Sequence, residues 1–75
     1  MTLRNFESRV GSKTFIVKES FPGIGYYYFV YDNGKIIYDD LQDTLEICKE
    51  IIFENYNVPL ESWKEIEPRI VPNPI

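Results

Sequence analysis

Hydrophobic and polar positions follow a period of two through the first half of the chain and a helical period after it. From Thr14 to Glu19 the residues alternate. Phe15 and Val17 fall on one face, and Thr14, Ile16 and Lys18 on the other, which predicts a strand. Phe21-Pro22-Gly23 breaks it, because proline cannot extend a ladder. Ile24 to Asp32 is the strongest strand signal, built of aromatic and β-branched residues. Asn33-Gly34 then predicts a two-residue hairpin turn, since both residues tolerate the positive φ that a type I′ turn requires. A regular ladder from that turn pairs Asp32 with Lys35, Tyr31 with Ile36, Val30 with Ile37, Phe29 with Tyr38 and Tyr28 with Asp39. It places Tyr27, Phe29, Tyr31, Ile36 and Tyr38 on one face and Tyr26, Tyr28, Val30 and Ile37 on the other. Ahead of these strands, Leu3, Phe6 and Val10 recur at helix-like spacing before Gly11. A short helix and an edge strand both fit that segment.

The period changes after Asp43. At 100° per residue, Leu45, Cys48, Ile52 and Tyr56 form one stripe, widened by Ile51 and Phe53, and Asp43, Glu46, Glu50 and Glu54 gather opposite it. Asp43-Thr44-Leu45-Glu46 reads as a capping box with Asp43 as the cap, and Asp40 is an alternative cap. Asn57 suits the left-handed C-terminal position and Pro59 forbids continuation. Leu60 to Glu67, with Trp63, reads as a turn or a short terminal strand. Residues 68–75 hold three prolines and are expected to be a loose tail of a single domain spanning 1–75. The expected fold is α+β: a three-stranded antiparallel sheet with one helix on one face, in the order β-β-β-α, with a short C-terminal strand or turn.

Composition then limits the chemistry. In 75 residues there is no histidine and one cysteine, which removes imidazole bases, Cys/His zinc sites and internal disulfides. The first ten residues lack the apolar core of a signal peptide, and the longest apolar run, Tyr26 to Tyr31, is far shorter than the roughly 20 residues of a membrane span. A cytoplasmic location without membrane association is therefore expected. The net charge of −4 is uneven: Met1–Tyr38 carry +2 and Asp39–Ile75 carry −6. Such a negative half disfavours nucleic acid and favours a basic protein partner. Its plainer reading is solubility charge on a helix face.

Each candidate for chemistry has a structural alternative. Asp39-Asp40-Leu41-Gln42-Asp43 spells the Asp-Asp-x-x-Asp pattern of magnesium sites, but helix capping accounts for Asp40 and Asp43. Gly23-Ile24-Gly25 precedes a strand, so it lacks the helix N-terminus that a phosphate cradle needs. Cys48 lies on the apolar stripe as a small packed hydrophobe. No catalytic residue, cofactor or metal site is expected. Both faces of the hairpin are apolar, which leaves open which one packs under the helix. Tyr26 and Tyr28, with Val30 and Ile37, are expected on the other face, either available to a partner or a second copy of the chain or covered by the N-terminal segment or tail.

The aromatic hairpin, the Asp43-Thr44-Leu45-Glu46 helix start, Tyr56-Asn57-Val58-Pro59 and Ser62-Trp63-Lys64-Glu65-Ile66 together resemble small acidic bacterial or phage hairpin-plus-helix domains. Such domains occur among immunity proteins of toxin systems and phage-encoded inhibitors. Cys48 and Asn57 stand where that pattern takes alanine and glycine. The resemblance implies a stoichiometric inhibitor rather than an enzyme. No site residue carries over from those domains; the charge pattern itself gives Asp39, Asp40, Asp43, Glu46, Glu50 and Glu54, on and before the helix, as the expected partner-binding residues. The alternative is a homodimerising or peptide-binding module that uses Tyr26 and Tyr28.

Overall fold

Among the described residues five strands, not three, form the sheet. The structure, a computed structural model, describes residues 3–20 and 23–67; the tail expected over 68–75 lies outside them. The order is β1 (Asn5–Val10), β2 (Lys13–Glu19), β3 (Tyr26–Asp32), β4 (Lys35–Gln42), α1 (Leu45–Tyr56), a 3-10 turn (Leu60–Ser62) and β5 (Lys64–Ile66). All neighbours are antiparallel, in the spatial order β4-β3-β2-β1-β5. The expectation of a three-stranded sheet is thus corrected at one edge. The segment around Phe6 is a strand, and Lys64–Ile66 pairs with it.

The topology follows from the connections. Tight turns at Gly11 and at Asn33-Gly34 join β1 to β2 and β3 to β4, with φ of 61° at Gly11, 51° at Asn33 and 83° at Gly34. After β4 the chain crosses the sheet as α1 and returns at the opposite edge. A twelve-residue helix is about 18 Å long, close to the roughly 19 Å of four inter-strand spacings, so helix and 3-10 turn suffice to bridge β4 to β5.

Three residues of β5 hold little ladder, and side chains secure them. Arg4 donates from Nε (2.9 Å) and Nη2 (2.8 Å) to the two oxygens of Glu65, a bidentate geometry that fixes both position and angle. Ser62 Oγ donates to the Pro59 carbonyl at 2.6 Å. Its hydroxyl proton is thereby used, so the 2.7 Å contact with the buried Ser8 is donated by Ser8.

The core lies between the helix and one sheet face. Phe6, Val17 and Tyr28 form one cross-strand row, and Phe15 and Val30 a second. Cys48, Ile52 and Val58 close over them, with Leu45, Ile51, Tyr56 and Trp63 at the margin. The uncovered face holds a smaller cluster. Ile16 and Phe29 are only 3% and 5% exposed, sheltered by Tyr31 and Ile36, and Tyr27 stacks on Phe29 at 6.3 Å.

The hairpin begins in the expected register and then departs from it. Asp32 pairs with Lys35 and Tyr31 with Ile36, but a bulge follows, and Val30 pairs with Tyr38 rather than Ile37. Phe29 and Tyr28 consequently face Asp39 and Asp40. One extra residue in a period of two moves every later side chain to the other face. Tyr38 therefore turns to the helix side and Asp39 away from it. A further close approach lies at the start of β3. A Cβ on Gly25 would collide with the Gln42 carbonyl oxygen, and its φ of 126° is itself unfavourable for other residues.

Candidate functional site

The helix that covers the core presents its other side to solvent. Its start is set by Thr44, whose Oγ1 accepts from the Ile47 amide at 3.1 Å. The cap is thus one residue later than Asp43, and Glu46 occupies the second helical position. Threonine wins because the hydrogen bond from Ile47 satisfies one of the four open N-terminal amides. Asn57 ends the helix at φ 58°, donating its amide to the Phe53 carbonyl at 2.8 Å.

With both ends fixed, the outer face is determined. Glu46, Glu50 and Glu54 are all exposed and recur every fourth residue, so they line up along one side. Ile47 and Phe53 flank them at 37% and 45% exposure. Phe53 is thus not part of the core-facing stripe expected of it. None of the three glutamates makes an ion pair among the described residues. Lys49, the one basic residue of the helix, instead sets its ammonium 5.8 Å from the Phe6 ring centre. The last helical turn contains no basic residue. Glu54 therefore stands unrelieved beside carbonyl dipoles of its own sign.

The remaining acidic residues are dispersed. Asp43 is exposed just before the cap. Asp40 is half-buried on the helix side and accepts from the Leu41 amide at 2.8 Å and from Gln42 Nε2 at 3.1 Å. Asp39 is exposed on the uncovered face, opposite Phe29. Adjacent residues of a strand point to opposite faces, so Asp39 and Asp40 do not act together, either as metal ligands or as one docking surface. Among the described residues no group of three Cys, Asp or Glu side chains is arranged to hold a metal ion.

Tyr26 and Tyr28 also lie elsewhere than expected. Both belong to the sheet face that the helix covers, and Tyr28 is 2% exposed. Burial pushes its phenol above the ordinary tyrosine range, with Tyr38 and Asp40 adding to the effect. Tyr26 is half-buried and is raised by burial and by Glu19. It borders a hollow of about 330 Å³ with Glu19, Gly25 and Asp43. A larger cleft, about 460 Å³, opens between β4 and α1, lined by Tyr28, Tyr38, Asp40, Ile51, Asn55 and Tyr56. Cys48 is buried, and its thiol donates to the Tyr26 carbonyl at 3.6 Å. Burial, reinforced by Asp40, pushes that thiol up to about 12, which leaves essentially no thiolate at neutral pH.

Sequence reasoning missed Ile47, Phe53, Tyr38 and Asn55. Ile47 was visible as an apolar residue on the polar side of the helical wheel. Tyr38 was hidden by the bulge, for which the sequence has no glycine marker.

No helix of the described residues is long and apolar enough to cross a membrane. No family model, curated protein or solved structure matches the chain.

Proposed function

We propose that this domain is a stoichiometric protein-binding inhibitor that masks a basic surface on its target with the outer face of α1. The observation that carries the reading is the composition of that face. Three carboxylates without an ion pair among the described residues, Glu46, Glu50 and Glu54, lie between exposed Ile47 and Phe53, while Lys49 is turned to Phe6. Carboxylates would steer a cationic partner and set its orientation, and the two apolar side chains would supply area to bury. The like-charged spacing and the position of Glu54 both cost the isolated domain a little stability. Selection for folding alone would remove that arrangement, whereas binding would keep it. Asp43 extends the surface at the helix start, and Asp39 has no part in it.

Affinity capture from native host extract tests this, with the wild-type chain, the triple variant Glu46→Lys/Glu50→Lys/Glu54→Lys and the control Asp39→Lys. A basic protein retained by the wild type and by the Asp39 variant, but not by the triple variant, is expected. Equal retention by all three would refute the helix-face site.

A second reading rests on the uncovered sheet face, where Tyr27 and Leu41 stand directly opposite each other and are both exposed. It predicts a homodimer in sedimentation at several concentrations, dissociated by Tyr27→Lys. A monomer throughout would dismiss it.

A further inference from the structure

The bulge in β4 does more than shift a register. By inserting Ile37 it carries Tyr38 from the uncovered face to the helix side, where its ring lies 5.9 Å from that of Tyr28 at 37°. Bulges recur beside binding sites because they re-aim a side chain in this way. Tyr38 remains 48% exposed, so it forms a rim of the cleft, and buried Tyr28 contributes its floor. Tyr56 stands on the helix side, its ring held 5.2 Å from Phe15. Three tyrosines thus border one cleft. Asp40 adds a formal charge to it, and none of the lining side chains is basic. The Asp40 oxygens each accept one neighbouring donor, and each has a second lone pair free. Asp40 makes no ion pair among the described residues.

Aromatic faces carry negative quadrupole potential, and together with a carboxylate they favour cations while repelling phosphate and carboxylate ligands. The cleft volume of about 460 Å³ falls in the roughly 300–1,000 Å³ range of small-molecule sites, larger than the tip of a single side chain requires. The geometry points to a binding site for a small organic ammonium ion in the cleft between β4 and α1, held by the tyrosine rings and Asp40. This site is separate from the outer face of α1 and does not depend on the inhibitor reading.

The test is a two-dimensional amide NMR titration of the full chain with choline and with its neutral isostere 3,3-dimethylbutan-1-ol. Choline is expected to give saturable shifts at Tyr38, Asp40 and Asn55, with the neutral isostere at least about tenfold weaker. Asp40→Asn can still accept from the Leu41 amide, so the fold is kept while affinity for choline falls about tenfold. Tyr38→Phe retains the ring and stays within about twofold of the wild type, whereas Tyr38→Ala loses about tenfold. Absence of saturable shifts, equal binding of the neutral isostere, or shifts centred on Glu46 and Glu50 would each overturn the site. Binding of a lysine-containing peptide without any binding of choline would overturn the small-molecule assignment as well.

Discussion

The two faces of α1 are built from the same twelve residues and obey opposite rules. Inward, Cys48 and Ile52 are fully buried over Phe15, Val17 and Val30, and every side chain there is explained by packing. Outward, Glu46, Glu50 and Glu54 repel one another, Glu54 opposes the helix dipole, and Phe53 and Ile47 expose apolar surface. Nothing in the fold requires that arrangement. The comparison separates residues kept for stability from residues whose presence stability does not explain, and changes on the two faces should therefore differ in sign as well as in size.

The largest effect belongs to the inner face. Ile52→Ala leaves a void beneath the helix and should cost about 2–5 kcal/mol, read as a reduced midpoint in urea unfolding. A loss of stability below about 1 kcal/mol would mean that the helix is not seated as described. Gly25→Ala is expected to be similarly disruptive, because its Cβ meets the Gln42 backbone rather than a movable side chain.

An intermediate effect comes from Cys48. Its thiol is raised from 9.0 to about 12 on folding, so the folded state holds a proton that the unfolded chain releases first. The stability this contributes is full below about pH 9 and is lost as pH rises toward the folded value. Unfolding measured from pH 8 upward should therefore show declining stability, and Cys48→Ala should flatten the decline. Tyr28 and Tyr26 are also raised, so part of the slope will remain. In the native state near neutral pH, alkylation of Cys48 should be negligible until the chain is unfolded.

Helix ends come next. Thr44→Ala removes the acceptor of the Ile47 amide and should cost about 1 kcal/mol, whereas Asp43→Ala should cost less. The reverse order would restore Asp43 as the cap. The smallest effect has the opposite sign. Glu54→Lys relieves like-charge contact and complements the helix end, so it should stabilise by a few tenths of a kcal/mol while weakening partner binding. Destabilisation by Glu54→Lys would show that the outer face has a structural role after all.

Local signals carried most of the elements. The alternation in Phe15–Lys18, the Asn33-Gly34 turn, the helical stripe through Cys48 and Ile52 and the Asn57 stop each depend on residues close in sequence, and each appears in the structure. What could not be read depends on contacts distant along the chain. A three-residue strand such as Lys64–Ile66 has no period of its own, and its place is set by Arg4, some sixty residues away. The Phe6 segment is a strand through its six-residue pairing with β2 across the Gly11 turn, a partner that the helix-like spacing of Leu3, Phe6 and Val10 conceals. The bulge was invisible for a different reason. Ile36, Ile37 and Tyr38 are all apolar, so pattern alone does not reveal which of them is the extra residue. Both faces of the hairpin are apolar, so the pattern also leaves open which one the helix covers, and that ambiguity, not the bulge, is what puts Tyr28 on the wrong face. The acidic helix face survived it because a helical wheel needs no information from the sheet.

Association kinetics with the captured partner test the central claim most directly. Stopped-flow rates would be measured across a range of salt concentrations for the wild type and for Glu46→Lys/Glu50→Lys/Glu54→Lys. The outer-face account predicts a wild-type association rate that falls steeply with ionic strength, and a variant at least about tenfold slower at low salt whose rate no longer falls with it. Rates and salt slopes shared by the two proteins would contradict it.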